Sequence, residues 1–427
     1  MNRILTTFRI YLWTIASIPF VYAIASPRNF SNTIDVQNID TKFAVLIGQV
    51  YPILSLIMFL STMFLRNIIL SRTSLLIILS LLPYYIISFL FQIFSTIPYF
   101  SLGLVTPTIM LLPLLIIDIP SKKLITREII TICLFYGYGS IVSSIISFDW
   151  TIESNYSYSL ISTLPFRLHG ITSHANTLSG ILLVYFAILI FSDDIKSRKI
   201  HPIAMLVILI ATQSKTAFVI LLLLFMFNLL IKKLKYVNRN LVRNLIYISL
   251  SILSIVAVQF SSLIDLENTP DASSLLAREK LWDISVEYWR NNPLFGYGPT
   301  FWGSEMASNY YSILGWLVPH AHNQFYQTLG SMGLAGVVCL LSFVGVLLYT
   351  SHRILQASIL PRIFLILFLI RGVTEVPLRN VIDSNYFFLF VTLIIFIIHL
   401  KEVNIRKNAV LFGDPVPISL NSGVRGI

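Results

Sequence analysis

A chain of 427 residues that is 56% hydrophobic and only 11% charged is not a water-soluble globule, since soluble domains carry about a quarter of their residues as charges. The apolar residues fall in continuous runs of about 17–25, enough to cross some 30 Å of hydrocarbon as helix, and the absence of strict alternation excludes a transmembrane β-barrel. The net charge of +11 would suit a nucleic-acid partner if it were evenly spread. Lys and Arg instead gather in short segments between the apolar runs, as the positive-inside rule produces for cytoplasmic loops, so no nucleic acid is expected.

In chain order the spans fall at 8–26, 43–65, 74–96, 102–118, 128–147, 173–192, 201–213, 216–231, 245–263, 324–349, 361–377 and 385–400. Only helices satisfy their own backbone in such runs. The expected fold is therefore an all-α polytopic integral membrane protein of about 12 transmembrane helices with one long outward loop. Residues 1–263 form the first nine helices, 264–323 the large loop, 324–400 helices ten to twelve, and 401–427 a basic cytoplasmic tail. Basic segments at Arg66–Arg72, Lys122–Arg127, Lys196–Lys199, Lys232–Arg243 and Arg353–Arg362 alternate with the other loops if both termini are cytoplasmic. Arg3, Arg9, the first apolar run and Ala23-Ile24-Ala25 have the form of a signal peptide; an uncleaved first helix is the expected state, and cleavage would leave the remaining topology unchanged. Cys133 and Cys339 both lie in apolar runs, which argues against a disulfide framework or a cysteine metal site.

Two outward loops stand out, the medium-sized 148–172 and the much longer 264–323. Within the second, Leu275–Arg290 reads as an amphipathic helix, with Ser273 or Ser274 as cap and Leu281, Trp282, Val286 and Trp289 on its apolar face. Asn291-Asn292-Pro293 ends it, and Gly296-Tyr297-Gly298-Pro299 requires a turn. Such a helix suits the bilayer interface. The loop aromatics Trp282, Trp289, Tyr297, Trp302, Tyr310, Tyr311 and Trp316 suit either sugar faces or that interface.

Residues able to do chemistry collect on the outward side. His320-Ala321-His322-Asn323 lies where the long loop re-enters the membrane, and it offers titratable rings and an amide beside a helix start. Asn323 also suits a plain helix cap. A zinc reading lacks a third ligand nearby in sequence, so no metal is expected. Gly330, Gly333 and Gly336 suit close packing. Arg167-Leu168-His169-Gly170, then His174-Ala175-Asn176, form a second constellation. Thr212-Gln213-Ser214-Lys215-Thr216 forms a polar hairpin tip, where Lys215 either snorkels or binds. Arg278 and Lys280 sit in the loop helix. Arg167, Lys215, Arg278, His174 and His322 together suit a phosphate-bearing lipid, with cations for the phosphate and a base for a hydroxyl. No sugar-nucleotide Asp-x-Asp motif and no Gly-rich phosphate loop occurs. Arg371 and Glu375, four apart in the eleventh span, read as an internal pair and are where a transporter reading would begin.

The ordered set of Arg167…His174-x-Asn176, Gln213-Ser214-Lys215-Thr216, Arg278…Leu281-Trp282, Asn292-Pro293-x-x-Gly296-x-Gly298 and His320-Ala321-His322-Asn323…Gly333-x-x-Gly336 resembles the O-antigen ligase and Wzy-type polymerase superfamily, which includes exopolysaccharide polymerases. The resemblance implies metal-independent glycosyl transfer, without cofactor, at the periplasmic face of a bacterial inner membrane. Its donor would be an undecaprenyl-diphosphate-linked oligosaccharide and its acceptor a glycan or lipid A-core. A chain-length regulator and other polysaccharide-assembly proteins are the further partners it suggests. It implies His322 as base and Arg278 as the companion catalytic cation, with Lys215 on the diphosphate. Arg167, His174, Asn176, His320 and Asn323 would line the site. The sequence departs from the family pattern at Lys215, where arginine is usual, and at Ala277, where glycine usually precedes the arginine; Lys keeps the charge but loses the bidentate fork. The His-Ala-His-Asn form and the Asn292–Gly298 run look more like the polymerase branch. The alternatives are an O-antigen ligase and, from another class, a flippase for lipid-linked glycans.

Overall fold

The computed structural model describes residues 2–25, 41–65, 72–94, 106–116, 121–154, 165–192, 200–234, 276–298, 301–303, 320–353, 359–378 and 388–398. The helices are α1 (Asn2–Ala25), α2 (Thr41–Leu65), α3 (Arg72–Phe94), α4 (Thr106–Leu111), α5 (Lys122–Ile146), the short α6 (Phe148–Thr151), α7 (Ala175–Phe191), α8 (Ile200–Ala211), α9 (Lys215–Leu234), α10 (Leu276–Asn291), α11 (Gln324–Arg353) and α12 (Leu360–Thr374); α13 is the apolar helix Phe388–Ile398. Among the described residues, four helical stretches are long and apolar enough to cross a membrane: Thr6–Ile24, Thr73–Phe91, Lys122–Ile146 and Gln324–Ser351. Val50–Met63, Ala175–Phe191, Ile200–Ala211, Lys215–Leu230 and Phe388–Ile398 are shorter apolar helices. The ninth expected span, 245–263, and the tail from 401 lie outside the described residues, as do Ser273, Ser274, Tyr310, Tyr311 and Trp316.

Beyond its polar start at Asn176, Thr177 and Ser179, helix α7 is apolar all round, and Ala175, Leu178, Leu182, Val184 and Tyr185 have no exposure at all. A helix without a polar face must be surrounded, and α5, α8, α9 and α12 pack about it. On the other side α3 and α10 pack against α11. Outward faces of the outer helices are apolar too: Ile53 and Ile57 on α2, Val142 and Ile145 on α5, Leu222 and Leu229 on α9, Val338 and Leu341 on α11 are all exposed. Apolar surface of that extent needs lipid as its solvent.

The structure departs from the sequence expectations in four places. The fourth expected span, 102–118, breaks in its described part: α4 stops at Leu111 and a 3-10 turn follows over Leu112–Leu115 with Pro113 at its start, because proline removes the donor a continuing helix needs. The basic segment Lys122–Arg127 forms the first turns of α5, since nothing in Lys-Lys-Leu-Ile-Thr-Arg opposes helix. The eleventh span ends at Thr374, and Glu375 is extended at φ −149°, as Pro377 disfavours helix just before it. Finally, the loop 148–172 contains a small antiparallel ribbon, β1 (Ile152–Ser154) with β2 (Phe166–Leu168), pairing Glu153 with Arg167.

Candidate functional site

The end of the bundle that carries the polar motifs is built from the starts of α7 and α11, the end of α12, the α8–α9 turn and β2. Arg167 leaves β2 and donates from Nη2 to Asn176 Oδ1 at 3.1 Å and from Nε to the Thr212 carbonyl at 3.4 Å. That pair of bonds ties the ribbon to the first turn of α7 and to the α8–α9 turn. His174 caps α7, its Nδ1 accepting the Asn176 N–H at 3.1 Å, and its ring lies against His169 with centroids 5.4 Å apart. Burial pushes His174 well below the ordinary histidine value, Arg167 and His169 add to that, and the carboxylates Glu375 and Glu153 only partly oppose it. The ring is thus held neutral, as an accepting Nδ1 requires. His169 in turn meets Glu153 at 3.0 Å.

The second half of the site comes from the start of α11. Asn323 Oδ1 accepts the N–H groups of Phe325 and Tyr326 at 2.9 and 3.3 Å, the geometry of a helix cap, while its amide donates to the Val373 carbonyl at 3.1 Å. Asn323 therefore joins α11 to α12. Just before the cap, His322 has φ +51°; it and Gln213, at +54°, are the non-glycine residues with positive φ among those described. A left-handed conformation costs a side-chain-bearing residue about 1–2 kcal/mol and persists only where the surroundings impose it. Both strained residues fall in motifs singled out from the sequence.

Glu375 connects the halves. Asn176 Nδ2 donates to its Oε1 at 2.9 Å, and its Oε2 lies 3.4 Å from His322 Nδ1. Glu375 sits beyond the last turn of α12 and is only 6% exposed. Burial by itself would raise its carboxyl, but His322, His320 and Arg278 more than offset this and hold it well below the usual carboxylate range. Arg278, in the first turns of α10, is thereby within electrostatic reach of the same carboxylate. Thus the structure brings together His322, His320, Asn323, Asn176, His174, Arg167 and Arg278. Lys215 is the first residue of α9 and is exposed, one residue past the buried Thr212-Gln213-Ser214 turn. Arg371 is buried to 1% exposure and donates to Ser179 Oγ at 3.4 Å.

Two features escape a reading of sequence alone. Glu375 lies 53 residues from His322, so the objection that His-x-His lacks a third ligand does not hold in the fold: His320, His322 and Glu375 each bring a ligating atom within 4.8 Å of the others. Other contacts compete for these groups. His320 Nδ1 accepts the His322 N–H at 3.2 Å, Glu375 Oε1 holds Asn176, and Arg278 adds positive charge to the same field, which opposes a cation. The second feature is the aromatic wall beside the histidines. Trp282 of α10 stacks on Tyr326 of α11 with centroids 5.1 Å apart and planes at 10°, and Trp282 Nε1 donates to the Ala321 carbonyl at 3.1 Å. Leu281, Ile284, Phe301, Trp302 and Ala321 close a small core beneath them.

Asn176 supports both halves, so Asn176→Ala should lower activity on the natural substrate by about 10-fold or more, the range for removing a hydrogen bond to a charged group, while the protein still elutes as a single folded species. Steady-state rates beside size exclusion in detergent would check this.

Fold and site define a helical membrane protein with a cationic, histidine-bearing site at one end of its bundle. Residues 202–341 match the family model described as O-antigen ligase, which supports placing the chain in the O-antigen ligase/polymerase superfamily. The match runs from α8 into α11 and so includes the α8–α9 turn, Arg278 and His320–Asn323. Members of that family are glycosyltransferase-like enzymes. Comparison with curated proteins gives no match.

Proposed function

We propose that the chain is a polysaccharide polymerase: it transfers a glycan from an undecaprenyl-diphosphate-linked donor to the free end of a second glycan, at the periplasmic face of a bacterial inner membrane and without a metal. The observation that carries this reading is the convergence of His322, Arg278 and Asn176 from distant segments on one buried carboxylate, with Arg167 holding Asn176 in place. In the proposed reaction His322 takes the proton of the acceptor hydroxyl as its oxygen bonds to the anomeric carbon. The bond from that carbon to the diphosphate oxygen breaks, and the electron pair leaves with the lipid diphosphate. Arg278 and Lys215 hold the departing charge, for which preformed cations in a water-poor site are well suited; Arg167, His174, His320 and Asn323 line and brace the pocket.

Orientation follows the same logic. Lys122 and Lys123 at the start of α5, Lys232 and Lys233 near the end of α9, Arg353 at the end of α11 and Arg362 at the start of α12 belong to the bundle end opposite the site. The positive-inside rule would put that end in the cytoplasm and the site outside. The family description favours the ligase as a second reading, with lipid A-core as acceptor. A transporter places its polar residues near the membrane midplane, whereas these gather at one end.

Deletion in the producing strain separates the three readings. Loss of the polymerase leaves single repeat units on undecaprenyl diphosphate at the outer face. Full-length lipid-linked polymer that never reaches lipid A-core would mean a ligase, and repeat units trapped at the inner face a transporter.

A further inference from the structure

We propose that Glu375 is the positioning residue of the site: pinned by Asn176, its carboxylate fixes the His322 ring with Nδ1–H toward itself and Nε2 toward the acceptor hydroxyl. The proposal rests on the assignment of His322 as base. It concerns a residue that the sequence motifs leave out and that lies outside the matched segment 202–341.

The geometry gives each oxygen a separate task. Oε1 receives Asn176 Nδ2 at 2.9 Å, and Asn176 is itself held by Arg167, so the carboxylate cannot rotate without breaking that chain. Oε2 is then presented to His322 Nδ1 at 3.4 Å, a separation of the kind that closes when substrate fills a site. Glu375 is buried and surrounded by His322, His320 and Arg278, with His174 also in its field, so the carboxylate is ionised and accepts rather than donates. An accepting partner at Nδ1 selects the tautomer whose lone pair is on Nε2, the nitrogen on the far side of the ring. His322 meets Glu375 from a left-handed backbone immediately before the Asn323 cap of α11. After proton transfer the carboxylate balances the imidazolium charge, and the proton leaves to solvent from Nε2.

The amide variant makes this testable. In Glu375→Gln the Asn176 amide still needs an acceptor at Oε1, which turns the new NH2 group toward His322 Nδ1. The ring is then offered a donor where it needs an acceptor, and the wrong tautomer is favoured. Glu375→Gln should lower kcat by about 10²-fold, within the range attributed to a correctly protonated base, with KM for the lipid-diphosphate repeat unit changed by about 3-fold at most. Glu375→Asp should recover part of kcat. Glu375→Gln combined with His322→Ala should be no slower than His322→Ala alone, because the two act as one unit. All rates would be measured on full-length protein in detergent, with chelator, after each variant is shown to elute as a monodisperse peak; if Glu375→Gln does not fold, Glu375→Asp in the wild-type and His322→Ala backgrounds supports the same comparison. Additive losses in the double variant, or full kcat in Glu375→Gln, would overturn the proposal while leaving His322 as base. Full activity in His322→Ala would instead remove the base assignment on which it rests. Activity lost in chelator and restored by zinc or magnesium would overturn it in favour of a metal at the His320, His322 and Glu375 cluster.

Discussion

Replacing His322 with Ala is expected to abolish the greater part of turnover, by about 10²- to 10⁴-fold, the contribution of a positioned general base, with the protein still folded. Three structural facts make this the largest effect on activity. His322 is the residue whose ring meets the buried carboxylate Glu375, and its backbone is held in a conformation that an ordinary side chain avoids. Next to it, Asn323 already supplies the cap that α11 requires, so removing the imidazole takes no cap from the helix. Ala at this position keeps the strained φ without the ring that makes use of it. Stability should therefore change little, and the loss should appear in kcat. Single-turnover rates beside thermal unfolding would show this division; equal losses in rate and stability would contradict it.

The largest effect on folding is expected at Gly333. Helix α11 runs from Gln324 to Arg353, yet Gly333 within it has φ +57° and ψ −156°, a region essentially closed to residues with a Cβ. The helix is therefore kinked there, and the break admits the loop that follows α10. Tyr297 and Gly298 donate to the carbonyls of Gly330 and Ser331 at 3.1 and 2.7 Å, and Leu334 and Ala335 donate to those of Pro293 and Leu294 at 2.9 and 3.1 Å. A Cβ on Gly333 would come within 2.6 Å of the Leu294 carbonyl carbon and the Phe295 nitrogen, and main chain cannot step aside as a side-chain tip can. Gly333→Ala should cost about 3 kcal/mol or more from backbone strain and displaced main chain together. It should also release α10 and, with it, Arg278. A lowered unfolding temperature, with activity lost even in the fraction that remains folded, is the expected outcome; unfolding at the wild-type temperature would show that the loop does not depend on that contact.

Apolar run length makes the helices legible in the sequence, and local chemistry makes the motifs legible. Asn291-Asn292-Pro293 ends α10 as its residue types require, and Gly296 and Gly298 take the positive φ that the turn demands. The Gly330, Gly333 and Gly336 series is legible as close packing, but its partner is not: Gly333 receives a loop main chain, which helical spacing cannot reveal. At Pro113 and Pro377 hydropathy continues although the helix does not, so run length alone places those helix ends too far along the chain. Glu375 is legible only as an acidic residue four after Arg371. Its meeting with Asn176, 199 residues away, arises from α12 running antiparallel to α7 and α11, a tertiary relation with no local signature. The same holds for the ribbon that pairs Glu153 with Arg167, since strands of three residues carry too little pattern to register.

If one polar end of the bundle extends a lipid-linked glycan by itself, purified protein and substrate should suffice. The most direct measurement supplies the full-length chain with repeat units on undecaprenyl diphosphate, in chelator and without nucleotide, and sizes the lipid-linked products. A ladder of lengthening chains is expected from wild type and none from His322→Ala or Arg278→Ala. Repeat units left unchanged by wild type under these conditions, and also after lipid A-core is added, would contradict this reading.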